Sequence, residues 1–270
     1  MTELKHKLTD DVLFKLFFVK YETTFLKRLI AALLGLRVED IGEDFRVTNS
    51  AMPPDMLGEK FCHLDINMTV NGQRVDLEVQ VKDGKDYPER SLYYWAREYS
   101  SALPAGDDYK LLPRTIVVSI LAFPLFRCTE YHSEFELLEV RRHERLTDRL
   151  AMHYFELPKL PEVVDADDKL KLWLALFKAD TEEKLDKLLS IGDEVMVQAI
   201  EAFRSVSASD EFKELERMRD RARRNEASAL ANERHNRSVE IAKRMIARGA
   251  GVEDIAADTG LMVDEVLRLK

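Results

Sequence analysis

Residues 61–82 read FCHLDINMTVNGQRVDLEVQVK, two runs of alternating residue types joined by Asn71-Gly72. An Asn-Gly pair between alternating runs predicts a β-hairpin, because both residues tolerate the positive φ angles of a type I′ turn. A two-residue loop also fixes which residues of the two strands face each other. In the predicted register, Asp65 lies directly opposite Glu78.

Side chains alternate between the two faces of a strand, so the predicted hairpin has one apolar and one polar face. The apolar face belongs in a core and carries Leu64, Ile66, Met68, Val70, Val75, Leu77, Val79 and Val81. The polar face carries His63, Asp65, Asn67, Thr69, Arg74, Asp76, Glu78 and Gln80.

The polar face has two interpretations. On an open surface, water weakens the repulsion between opposed carboxylates, and the face is simply hydrated. In a cleft, one of the carboxylates must protonate or a cation must lie between them. Carboxylate oxygens that leave positions for water suit Mg²⁺ or Mn²⁺. The concentration of acids and amides around a single nearby cation, Arg74, favours the cleft.

The polar face also resembles a known catalytic motif. Asp65, the hairpin and then Glu78-Val79-Gln80 are similar to the D…(D/E)-x-K core of the PD-(D/E)XK nucleases. The resemblance is closer to the Rpn family of recombination-promoting nucleases and putative transposases, in which Gln commonly takes the last place. Three further segments resemble that family: Asp11-x-x-Phe14-Lys15, Arg90-Ser91-Leu92-Tyr93-Tyr94 and Gly106-x-x-Tyr109.

The order of the predicted elements agrees with the resemblance. Apolar spacing predicts one helix over residues 9–34 and another over 87–103, with a short strand at 45–49. Residues 114–123, RTIVVSILAF, form the β-branched run typical of a central strand covered on both faces. Helix, strand, hairpin, helix and strand give the αβββαβ core of the restriction-endonuclease-like fold, an α/β class with a mixed sheet flanked by helices. Further strands at 133–141 and 152–157 extend the sheet.

The C-terminal region is predicted to be α-helical. We assign residues 1–160 to the nuclease-like core, 161–205 to helices packed on that core, and 206–270 to a long basic helix with a helix–turn–helix-like tail. The last predicted helix begins with Asp264 and Glu265, which oppose a role in reading bases beside phosphates. Packing, or a homo-oligomer formed through the C-terminal helices, is therefore the preferred role for the tail.

Composition sets further limits. The net charge is −9, yet residues 213–248 hold eleven Lys or Arg against six Asp or Glu, which fits either phosphate contact or a solvated helix. No apolar run approaches the ~20 residues of a membrane span, which argues against a membrane partner. The charged N-terminal residues and the two cysteines without metal-type spacing predict a cytoplasmic protein.

The resemblance implies a divalent-metal-dependent DNA endonuclease. Asp65 and Glu78 would bind Mg²⁺, or Mn²⁺ or Ca²⁺, and Gln80 would complete the catalytic set in the place of the usual Lys. Candidate supporting residues are Asp11, Lys15, Asp76, Lys82 and Arg90. Asp11 has an alternative role, since an acid at a helix N-terminus stabilises the helix dipole.

Two alternatives to hydrolysis stay open. A nuclease fold that cleaves weakly or not at all could act by binding DNA or protein, because Gln80 lacks the charge of a Lys. A transposase activity with strand transfer is implied only by the family resemblance, and the residues do not distinguish it from hydrolysis.

Overall fold

The structure, a computed structural model, describes residues 2–21, 23–48 and 66–269. The predicted hairpin is confirmed in strands β2 (Ile66–Val70) and β3 (Gln73–Gln80), which pair in the expected antiparallel register. Asn71 and Gly72 adopt the positive φ angles, 51° and 72°, that the turn requires. Asp65 lies outside the described residues, so its position opposite Glu78 stays a prediction.

The hairpin belongs to a six-stranded sheet of order β1-β2-β3-β4-β6-β5. The other strands are β1 (Arg46–Val47), β4 (Thr115–Leu121), β5 (His132–Phe135) and β6 (Leu150–Glu156). Strands β3, β4 and β6 are parallel, and the remaining pairs are antiparallel. All seven residues of β4 are buried, as the β-branched run predicts. The mixed sheet flanked by helices confirms the predicted α/β class.

One face of the sheet packs against two groups of helices. The N-terminal group consists of α1 (Asp11–Lys15), a π-helical segment (Leu16–Tyr21) and α2 (Thr23–Leu33). The second group consists of α4 (Lys169–Lys178), α5 (Glu182–Ser190) and α6 (Glu194–Ala208). Together with Leu77, Val79 and other apolar residues of the hairpin, they form the main core. Val81, predicted on this face, follows the end of β3 and is exposed.

The N-terminal helix differs from the single regular helix that the sequence predicts over residues 9–34. The seven residues from Val12 to Phe18 are all buried. A regular α-helix exposes part of its surface within such a run unless it is enclosed on every side. The π-helical segment has more residues per turn than an α-helix, so it is wider and its side chains point in different directions from those of a regular α-helix. Phe17 and Phe18 thereby both enter the core, where their rings meet edge to face at 4.7 Å.

The opposite face of the sheet lies under α3 (Tyr87–Ser101), the crossover helix between β3 and β4. Helix α3 buries Tyr87 and Ser91, while Leu92 is half exposed. This helix covers the polar face of the hairpin. Asp76 and Glu78 are only 4% and 3% exposed, so the simple hydrated interpretation does not hold for them.

Strand β5 is shorter than the strand predicted over residues 133–141. It ends at Phe135, and a bridge between Leu138 and Arg145 closes a two-stranded arm beyond the sheet. Within the sheet, His132 Nε2 lies 3.1 Å from His153 Nδ1, and the two imidazole rings stack. A hydrogen bond between two imidazoles requires that one of the bonded nitrogens carries no proton.

This histidine pair predicts an acid-sensitive stability. Burial lowers the pKa of His132 and of His153. The folded protein then binds fewer protons than the unfolded chain. The resulting stabilisation is complete above about pH 6.5, the pKa of a histidine in the unfolded chain. It is lost as the pH falls through the lower pKa values of the two histidines in the folded protein. Urea unfolding between pH 8 and 5 should show this decline in the wild type and a shallower one in His153→Gln. Identical profiles would contradict the assignment.

The chain divides into two compact units, Met1–Leu215 and Glu216–Lys270. Helix α7 (Asp210–Ala247) runs from the first unit into the second. The second unit also contains α8 (Val252–Thr259) and α9 (Val263–Arg268), joined at Gly260, whose φ of 72° permits the tight turn. Its small core consists of Ala242, Ile255, Leu261 and Val266. In the described ranges, no helix has the length and apolarity needed to cross a bilayer.

Candidate active site

Glu78 occupies the middle of β3, on the face that α3 covers. The hydroxyl of Tyr87, the first residue of α3, lies 3.2 Å from Glu78 Oε2 and 2.9 Å from Ser119 Oγ. Because a carboxylate can only accept hydrogen bonds, the phenol is the donor to Glu78. Tyr87 and Ser119 are themselves fully buried, so this contact is closed to bulk water.

The contact belongs to a row of polar residues that crosses three parallel strands. Glu78 on β3 is the register partner of Ser119 on β4, which is the register partner of Tyr154 on β6. Helix α3 meets this row with Tyr87 and, one turn later, with Ser91, whose Oγ lies 2.8 Å from the Tyr154 hydroxyl. The strands therefore set the spacing of the row, and a single helix supplies its partners.

Both phenols of the row stay protonated at neutral pH. Burial, reinforced by the nearby charge of Glu78, raises the pKa of Tyr87 well above its usual 10. Burial also raises the pKa of Tyr154, and the charge of Glu78 adds to that effect. A neutral phenol keeps its hydrogen, so Tyr87 can act as a permanent donor to the carboxylate.

Asp76 precedes Glu78 by two residues and points to the same face of β3. It borders a cavity of about 200 Å³, whose other polar lining includes Arg46, Asn67, Arg74 and Glu98. Arg74 connects β3 to α3, because its Nη1 donates to Ser101 Oγ at 2.9 Å and to the Glu98 carbonyl oxygen at 3.1 Å. The cavity thus places a second acid, an amide and two guanidinium groups near the buried Asp76 carboxylate.

Gln80 is the last residue of β3 and is partly buried. Its Nε2 donates a hydrogen bond to the Lys82 carbonyl oxygen at 2.9 Å. A glutamine amide has two N–H donors, so this bond uses one of them. Lys82 itself lies beyond the strand, in the exposed turn that leads to α3.

The remaining candidates come from the two helices. The Arg90 guanidinium lies 5.1 Å from the centre of the Tyr87 ring, within the range of a cation–π contact. Lys15 is only 6% exposed on α1, and an ammonium so deeply buried needs acceptors around it. Asp11 Oδ1 accepts a hydrogen bond from the Val12 backbone N–H at 2.7 Å. Tyr87 therefore links Glu78 to Arg90, while Asp11 and Lys15 stay candidates on α1.

The donor set suits a hard divalent cation. Glu78 and Asp76 present carboxylate oxygens on one face of β3, and Mg²⁺ and Mn²⁺ prefer such oxygens. In the part of the chain that the structure describes, no three His, Cys, Asp or Glu side chains form a metal-binding group. Asp65, the other predicted ligand, immediately precedes β2 and lies outside that part.

The family model of the PD-(D/E)XK nuclease family transposases matches residues 8–233. The chain belongs to this family. The match extends from the segment before α1 through the whole sheet and into α7, and it confirms the resemblance seen in the hairpin motif. Comparisons with curated proteins and with solved structures gave no match. Membership of the PD-(D/E)XK family supports a nuclease-like function for the chain.

Sequence reasoning proposed Glu78, but neither Tyr87 nor Ser119, as a candidate site residue. Ser119 left one signal, since it is the single polar residue in the run 116–123, IVVSILAF. A hydroxyl in an otherwise apolar central strand indicates a buried hydrogen-bond partner. The residue of β3 that lies beside Ser119 could not be predicted, because the register between β3 and β4 depends on tertiary packing.

Proposed function

We propose that this PD-(D/E)XK family protein is a divalent-metal-dependent DNA endonuclease that hydrolyses phosphodiester bonds at the polar face of β3. The observation that carries the proposal is the burial of Glu78 on the central strand, with a neutral donor beside it. Burying a carboxylate on a central strand is costly, and function is a common reason for retaining one. The family match supplies the reaction class.

Asp65 and Glu78 are the proposed metal ligands, with Asp76 as the next candidate. Mg²⁺ is the expected ion, and Mn²⁺ or Ca²⁺ would fit the same oxygen donors. A cation held there would polarise a phosphodiester oxygen and lower the pKa of an attacking water.

The chain's own residues would orient the water and the phosphate. The second N–H of the Gln80 amide remains available to a water molecule, since Lys82 takes only one. Gln80 carries no charge, so positive charge would have to come from Lys15, Lys82 or Arg90. Arg90 lies over the ring of Tyr87, and Tyr87 contacts Glu78.

The partner of this site is DNA, and the family name includes transposases, so a link to recombination is part of the proposal. The basic segment at 213–248 offers further phosphate contacts. Self-association through the C-terminal helices is proposed for the second unit, where α9 leaves Met262, Val263 and Leu267 exposed.

The test is a calorimetric titration of Mg²⁺ and of Mn²⁺ into the full chain, run beside a supercoiled-plasmid nicking assay with and without EDTA. We expect metal binding and cleavage that EDTA abolishes. Metal binding without cleavage would favour the alternative, a nuclease-fold module that acts by binding DNA or protein. The observation that favours this alternative is the hydrogen bond from the Gln80 amide to the Lys82 carbonyl oxygen. Absence of metal binding would refute the proposal.

A further inference from the structure

Tyr87 has a place in the site that the family's D…E-x-Q motif does not include. It begins α3, seven residues after β3 ends, and its side chain reaches back to Glu78 on that strand. We propose that Tyr87 is a positioning residue, whose phenol holds the Glu78 carboxylate in the orientation that binds the metal. This inference rests on the proposed function and adds a residue to it.

The phenol is held in place from several sides. Its hydroxyl lies 2.9 Å from Ser119 Oγ, and its ring meets Phe123 and Tyr154 edge to face at 6.3 Å each. Arg90 covers the ring at 5.1 Å. A glutamate side chain has three rotatable bonds, and apolar burial alone does not select one orientation of its carboxylate. A rigid donor at Oε2 does select one.

The chemical character of the donor fits a metal site. A Lys or Arg at this place would neutralise Glu78 and compete with a cation. A neutral hydroxyl replaces part of the water that burial removes, yet leaves the full negative charge on the carboxylate. It occupies one of about four lone-pair positions of the carboxylate, so the others keep a defined direction. Hydrogen bonds of this kind to metal ligands orient the ligand.

The same row of residues offers a matched control. Tyr154 is also buried, also contacts α3 through its hydroxyl, and lies one strand beyond Ser119. Its hydroxyl bonds to Ser91 at 2.8 Å rather than to Glu78. Tyr154→Phe therefore removes a comparable buried hydrogen bond from the same network, without touching the carboxylate.

The experiment compares wild type, Tyr87→Phe and Tyr154→Phe as full chains, with Mg²⁺ or Mn²⁺ alone as the calorimetric ligand. We expect the Kd for metal to rise about 10- to 100-fold in Tyr87→Phe. In Tyr154→Phe we expect it to stay within about twofold of the wild type, because the bond to Glu78 remains. The temperature of thermal unfolding without metal should fall in both variants, and further in Tyr87→Phe, since the Tyr87 hydroxyl contacts both Glu78 and Ser119.

The outcomes separate this inference from the proposed function. If the wild type binds metal and Tyr87→Phe binds it equally well, the positioning role is refuted and the proposed function stands. An equal loss of affinity in both variants would indicate general loosening and would also refute it. A wild type that binds no metal refutes both. If Tyr87→Phe fails to fold, Ser119→Ala, which removes the support of the phenol, should weaken binding by a few-fold, and unchanged affinity would refute the role.

Discussion

Replacement of Glu78 by alanine should lower metal-dependent DNA cleavage by roughly 10³-fold or more, while the protein stays folded. The variant removes a proposed metal ligand from the centre of β3. It also removes a carboxylate that is 3% exposed, and burial of that charge opposes folding. Removing the buried charge favours folding, but the small cavity left beside Tyr87 lowers the stability. Because these two effects oppose each other, we expect the variant to stay folded.

The measurements are the initial rate of plasmid nicking in Mg²⁺, the metal affinity by calorimetry, and urea unfolding. Glu98→Ala is the matched control. Glu98 is a carboxylate on the cavity that Asp76 borders, and its partner is Arg74, at 3.5 Å. Cleavage by that variant should remain close to the wild-type rate. A Glu78→Ala protein that still cleaves at the wild-type rate would place the active site elsewhere. Loss of folding in Glu78→Ala but not in the isosteric Glu78→Gln would point to a packing role.

The parts of the fold that were predictable from the sequence are those that local chemistry determines. Asn71 and Gly72 specify a two-residue turn, and the turn specifies every residue pair of β2 and β3 that the structure describes. The run in β4 predicts a central strand, because its β-branched composition is typical of a strand covered on both faces. The lengths of β5 and of the N-terminal helix were less accurate, since neighbouring elements determine where a strand or a helix is interrupted.

The environment of the candidate site required the tertiary structure. Alternation along β3 placed Asp76 and Glu78 on one face, but it could not tell whether water or a helix covers that face. Helix α3 covers it because β3 and β4 are parallel and need a crossover, which packs on the sheet. The partner of Glu78 then follows from the register between these strands and from the first turn of α3. Neither has a local signature in the sequence.

A second carboxylate, Glu156 at the end of β6, predicts the largest loss of stability. It is fully buried, and Lys159 Nζ lies 2.7 Å from its Oε2. Its Oε1 accepts hydrogen bonds from the backbone N–H groups of Leu125 and Phe126, at 2.5 and 3.1 Å. Glu156→Ala leaves these three donors without their common acceptor. Removing one partner of a buried charge pair destabilises by about 3–5 kcal/mol, and we expect a loss of about 3 kcal/mol from the free energy of unfolding.

Two further variants separate charge from hydrogen bonding at this position. Glu156→Gln keeps an acceptor for the backbone N–H groups but removes the charge opposite Lys159, so its loss should be about half as large. Glu130→Ala removes an exposed carboxylate from the same loop region and should change stability by less than about 0.5 kcal/mol. All three are measured by urea unfolding at pH 7. A loss below about 1 kcal/mol in Glu156→Ala would show that water replaces the carboxylate as acceptor, because only solvated donors tolerate its removal so easily.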